Sequence, residues 1–75
     1  MQSYHYPIIV ERDKEGYYVS CPALQGCYSQ GDTYEEAVNN IEDAIRLHIQ
    51  DRLEHKEELL QPAMVIVSSV DVALR

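Results

Sequence analysis

Apolar residues recur at helical spacing between Gly31 and Leu53 and nowhere else in the chain. At about 100° per residue, Tyr34, Ala37, Val38, Ile41, Ala44, Ile45 and Ile49 fall on one stripe. Glu35, Glu36, Asn39, Glu42, Asp43, Arg46, Gln50 and Glu54 fall on the other side, with Glu42 and Arg46 spaced for an i,i+4 pair. Thr33 is the expected N-cap, and Glu36 stands three residues on, the spacing of a reciprocal capping box. Asp32, Glu35 and Glu36 add negative charge at the positive end of the helix dipole. A helix that is apolar on one side only must cover something, and the flanking segments offer a sheet.

Before the helix the period changes to two. Tyr4 to Arg12 alternates, with Tyr4, Tyr6, Ile8 and Val10 on one face and His5, Pro7, Ile9 and Glu11 on the other, which predicts a first strand. Pro7 has no amide hydrogen to give to a ladder, so pairing is expected to be incomplete near the start. Asp13-Lys14-Glu15-Gly16 is a polar turn, and Tyr17 to Cys21 a second strand, antiparallel to the first. Pro22 to Gly26 predicts a loop or corner, and Cys27 to Gln30 a short third strand. After Leu53 the pattern frays into His55-Lys56-Glu57-Glu58, and Pro62 blocks further helix. Met64 to Leu74 predicts a last strand, apolar on both faces over Ala63 to Val67. A strand, a covering helix and another strand favour a right-handed crossover, placing the last strand parallel to a neighbour, the first by preference. The predicted class is α+β, in the order β-β-β-α-β, with one mixed sheet and one covering helix.

Size and charge narrow the role. A chain of 75 residues is one small domain, which buries only about 60% of its unfolded surface, so oligomerisation is expected. Six Tyr supply all the aromatic content, since Trp and Phe are missing. On short strands they suit half-buried or shared surfaces. The net charge of −7, from Lys+Arg 6 against Asp+Glu 13, argues against a phosphate-gripping protein and fits either a basic partner or solubility alone. No signal peptide or membrane-length apolar run is seen. A cytoplasmic protein with Cys21 and Cys27 reduced is therefore expected.

Four blocks in series carry a resemblance. Tyr6-Pro7-Ile8-Ile9-Val10-Glu11, Asp13-x-Glu15-Gly16-Tyr17-Tyr18-Val19, Pro22-x-Leu24-x-Gly26-Cys27 and Gln30-Gly31-Asp32-Thr33-x-Glu35-Glu36-Ala37 resemble the HicB antitoxin-like family, in its short UPF0150-type form. The resemblance covers essentially the whole chain as a single domain, residues 1–75. It implies a partial RNase H-like fold and an antitoxin role in a type II toxin–antitoxin system. The implied partner is a small basic toxin of the HicA type, an mRNA-cleaving protein whose active site the antitoxin covers. No stretch of the 75 residues matches the C-terminal DNA-binding module of many family members, so direct operator binding is not expected from this chain.

The remaining chemistry is weighed against that reading. An RNase H-like nuclease would hold metals on carboxylates from the first strand, the helix and a later strand. Here these would be Glu11, Glu42 and Asp71, all better read as solvated charges. Cys21, Cys27, His5, His48 and His55 lack metal-ligand spacing, and His48, on the apolar side of the helix, reads as a core-margin residue. No cofactor and no enzymatic activity are expected. Tyr4, Tyr6, Tyr18 and Tyr28 are possible anchors on an exposed sheet face, and Tyr6, Tyr18, Tyr28 and Glu11 are the candidate partner-binding residues. A homo-oligomer would use an unpaired sheet edge, the bare sheet face, or the helix end around Leu53, Leu59 and Leu60. Self-assembly as a structural or regulatory module without a toxin is the alternative reading, and a degenerate nuclease the third.

Overall fold

A computed structural model describes residues 3–59 and 65–75 of the chain. Three strands, β1 (Ile9–Arg12), β2 (Tyr17–Ser20) and β3 (Tyr28–Gly31), precede one helix, α1 (Tyr34–Glu54). The sheet order is β1-β2-β3, antiparallel throughout, and α1 packs on one face of it. This is the expected α+β class.

Local chemistry accounts for each junction. In the β1–β2 turn, Asp13 Oδ1 accepts from the Glu15 amide at 2.7 Å and the Gly16 amide at 3.2 Å, and the Asp13 amide donates to the Gly16 carbonyl at 3.0 Å. An Asx turn of this kind replaces ladder bonds the chain gives up as it reverses. At the β2–β3 corner the Cys21 amide donates to Cys27, Leu24 to Cys21, and Cys27 to Leu24. That mesh turns Leu24 inward, where it is fully buried. Thr33 caps α1, its Oγ1 accepting from the Glu36 amide at 3.1 Å. The returning bond from the Glu36 carboxylate is not made, so one half of the predicted capping box is present.

The core lies between α1 and the sheet. Val19, Cys21, Leu24, Cys27, Ala37 and Ile41 are buried together, with Tyr6, Ile8, Val10, Ala44 and Ile45 packed around them. The register aligns Val10 with Val19 and Val19 with Ser29 beneath the helix, and Ser29 Oγ donates to the Ala37 carbonyl at 3.1 Å. The helical stripe thus buries Ala37, Ile41 and Ile49. Tyr34 departs from expectation. It is half exposed and stands edge-on to Tyr17, ring centroids 6.4 Å apart.

β3 approaches the helix so closely that a Cβ on Gly31 would lie 2.6 Å from the Ala37 nitrogen and 3.0 Å from its Cα. Backbone cannot swing aside as a side chain can. Gly31→Ala should therefore destabilise the protein by about 2–3 kcal/mol, the upper part of the overpacking range, measured as a lower urea midpoint at unchanged m-value.

Three boundaries differ from expectation. β1 begins at Ile9 rather than Tyr4, because residues 4–8 include Pro7 and join no ladder. The helix ends at Glu54 without fraying. Lys56 takes φ 56°, its amide donates to Leu53, and the Glu57 amide donates to Arg52 at 2.8 Å. This is a Schellman closure with Lys in the place glycine usually fills. The predicted last strand, Met64 to Leu74, is not formed over residues 65–75, which belong to no strand, while 63–64 lie outside the described residues. Among the described residues the parallel crossover and the mixed sheet are absent with it, since a strand exists only where a neighbouring backbone supplies its hydrogen bonds. No helix among the described residues is long and apolar enough to cross a membrane.

Candidate functional site: the uncovered sheet face

The helix covers one face of the sheet, and strand alternation sends the remaining side chains to the other. Two cross-strand rows result. Glu11 pairs with Tyr18 and Tyr18 with Gln30, while Ile9 pairs with Ser20 and Ser20 with Tyr28. Glu11, Tyr18, Ser20, Tyr28 and Gln30 line a shallow hollow of about 370 Å³ on this face. Tyr28 is 72% exposed and Tyr18 36%, so two amphipathic rings stand side by side in adjoining rows.

The charged groups among the described residues lining this face are carboxylates. Glu11 points outward, and the neighbouring Arg12 turns to the helix side, its guanidinium 5.5 Å from the centre of the Tyr17 ring. The Asp13 carboxylate, with partial desolvation and Glu15 behind it, holds the Tyr18 phenol above its ordinary range. Tyr18 therefore stays a neutral hydroxyl in a negative field. A second hollow of about 520 Å³ adjoins at the end of the sheet, sharing Tyr18 and Gln30 and adding Glu15, Asp32, Glu36 and Asn40. The surface suits a cationic, planar or amphipathic contact.

Of the four candidate partner-binding residues, the structure brings Glu11, Tyr18 and Tyr28 onto this face. Tyr6 lies on the opposite side, packed against the core. Ile9, Ser20, Gln30 and the turn acids Asp13 and Glu15 were missed. The signal for them was present in the alternation once Glu11, Tyr18 and Tyr28 are placed in register.

The carboxylates considered for metal chemistry stay apart. Glu42 Oε1 is 3.1 Å from Arg46, whose guanidinium also holds Asp43 at 2.8 Å. Glu11 is on the bare face, and Asp71 is exposed in the C-terminal segment. Among the described residues no group of three or more His, Cys, Asp or Glu is placed to hold a metal ion. Cys21 and Cys27 are free and buried. Burial raises both thiols, and for Cys27 the Cys21 charge adds to the effect, against a smaller lowering by Arg52.

His55 closes the helix, and its pKa is raised above the ordinary imidazole value. Its Nδ1 lies 2.8 Å from the Asp51 carbonyl and 3.4 Å from the Asp51 carboxylate. The hydrogen bond to the carbonyl, then the carboxylate charge, raises its pKa. A raised group stabilises fully below the ordinary imidazole range, and that contribution is lost as pH rises through the raised value. Amide exchange at residues 55–57 should therefore show more opening, corrected for intrinsic rates, from pH 6 to 8. Asp51→Asn should lower the His55 pKa read by NMR.

A helix seated on one face of a short antiparallel sheet, with an acidic, tyrosine-bearing opposite face, defines a small α+β domain. The chain belongs to the HicB-like antitoxin family of bacterial toxin–antitoxin systems, whose model matches residues 6–72. Among its relatives, a UPF0150 protein of Synechocystis sp. is 44% identical over 73 residues, covering 88% of this chain and 92% of that protein. A UPF0150 protein of Thermoplasma acidophilum is 46% identical over 55 residues, covering 72% of this chain and 80% of its own length. An antitoxin HicB 1 of Photorhabdus laumondii is 35% identical over 75 residues, covering 99% of this chain but 48% of that protein.

Proposed function

We propose that this chain acts by binding rather than by catalysis, as an antitoxin-like module that masks a small basic toxin of the HicA type. The observation that carries the reading is the uncovered face, where Glu11, Tyr18 and Tyr28 lie together with no Lys or Arg among the described residues lining the hollow. Acidic side chains steer a basic protein to the surface, and exposed Tyr rings supply contact area at low entropic cost. Family membership supports the antitoxin-like role, and the similarity to an antitoxin HicB 1 points the same way.

The test is coexpression with the product of the adjacent reading frame, followed by size exclusion and an RNase assay. A small basic protein that comigrates and loses RNase activity in the complex is the expected result. A neighbour that remains fully active in the presence of excess chain would overturn the reading.

A further inference from the structure

The C-terminal segment is apolar and bare. Ile66, Val67, Val70, Val72 and Leu74 are 76%, 79%, 83%, 75% and 92% exposed. Among the described residues they are half of the large hydrophobics left in solvent, gathered in nine residues. Ile66, Val70, Val72 and Leu74 share the even positions, broken only by Ser68, so a strand here would present a mostly apolar face. β-Branched residues at this density have the composition of a strand.

The body of the molecule has a matching vacancy. β2 occupies one side of β1, and among the described residues the other side of β1 is an open edge. The outer side of β3 is engaged by the helix, with Asn40 Nδ2 donating to the Gln30 carbonyl at 2.8 Å. Between residues 4–8 and α1 runs a groove of about 290 Å³ floored by Ile8, Ile41 and Ile45. A second hollow of about 580 Å³ continues it along the helix past Ile49 to Leu53. From Val38 to Leu53 the helix rises about 22 Å, the span of roughly seven strand residues.

A second copy of the chain is the occupant these observations favour. The segment does not lie in its own groove, as its exposure shows. The radius of gyration is 14.9 Å and the longest extent 53 Å, against about 11 Å for a compact domain of this length. Among the described residues each molecule thus carries a projecting apolar arm and an apolar groove that the arm does not fill, the two halves of a closed two-fold exchange. Electrostatics do not oppose it. In a chain of net charge −7, residues 65–75 contain one Asp and one Arg, and Glu42 beside the groove is already paired with Arg46.

We propose that residues 65–74 of one copy insert as a strand along the free edge of β1 of a second copy, beneath its α1, and that the two copies exchange these segments reciprocally. The inference is independent of the toxin partner, because it uses the helix side of the sheet edge and leaves the uncovered face open.

Sedimentation equilibrium of the full chain should give a dimer, and the double variant Val70→Asp/Val72→Asp should raise the dimer dissociation constant by at least about 100-fold. Two lost apolar burials account for a factor of that order. The helical circular dichroism of the variant should be retained, since α1 and its sheet do not use the segment. Isotope-filtered NOEs in a mixed labelled and unlabelled sample should connect Val70 and Val72 methyls of one copy with Ile45 and Ile49 methyls of the other. A wild-type monomer at 100 μM would overturn the proposal. So would a dimer that survives the double variant, or NOEs from the segment to the groove of its own chain alone.

Discussion

Ile41→Ala is expected to remove about 3–4 kcal/mol of stability, within the range for deleting a large aliphatic side chain from a closed core. Ile41 is 1% exposed and belongs to the buried cluster, between Val19 and Leu24 on the sheet side and Ala37 one turn earlier on the helix. Its neighbours come from β2, the β2–β3 corner and α1, so no single element can shift to fill the space. A chain of 75 residues has a total stability of roughly 4–11 kcal/mol at ordinary per-residue values. The loss is thus a large part of the whole. The expected readout is a urea transition displaced far toward zero denaturant, with a fraction of molecules unfolded even in buffer. Ala44→Gly at the half-buried margin of the same stripe provides the contrast. It should cost about 1 kcal/mol, the helix-propensity difference, because little volume is lost.

The second large effect concerns recognition and should leave the fold intact. Tyr18→Ala and Tyr28→Ala are each expected to weaken toxin binding by at least about 30-fold, the equivalent of a 2 kcal/mol hot-spot residue. Tyr28 is mostly exposed and makes no core contact, so its loss should shift stability by no more than about 0.5 kcal/mol, as for other surface positions. Glu11→Gln tests the electrostatic part separately. It should lower the association rate and flatten its salt dependence while changing the dissociation rate little, since rim charges act on encounter. Tyr6→Ala is the internal control of opposite character. Tyr6 packs against the core on the helix side, so its substitution should lower stability and spare the affinity of the molecules that remain folded. Titration calorimetry with the purified toxin, beside urea unfolding of each variant, separates the two patterns.

The contrast between Tyr6 and the pair Tyr18 and Tyr28 marks where reading along the chain stops. Alternation shows that Tyr17 and Tyr18 face opposite ways, but it does not say which way the helix lies. Only when Ala37 and Ile41 settle over Val19 do Tyr6 and Tyr17 become the helix side, and Tyr18, Tyr28 and Glu11 the open side. The acidic surroundings of Tyr18 depend on the fold in the same way. Asp13 and Glu15 are in the adjacent turn, and the Asx turn at Asp13 fixes them beside the ring.

The features legible from residues 3–59 are those whose determinants lie within a few positions of one another. Thr33 and the Glu36 amide, the Asp13 to Gly16 turn and the stripe from Ala37 to Ile49 each follow from local hydrogen bonding or from helical period. The family blocks from Tyr6 to Ala37 span the same elements. The end of the chain behaves differently for a physical reason. Residues 65–74 have the alternation and the β-branched content of a strand, yet a strand also requires a neighbour's backbone. Sequence alone determined the helix, its cap and the hairpin, while the last strand it predicts is not formed over residues 65–75. Tertiary structure alone decided which sheet face is open and left β1 with a free edge and the last segment unpaired, because both depend on contacts between residues far apart in the chain.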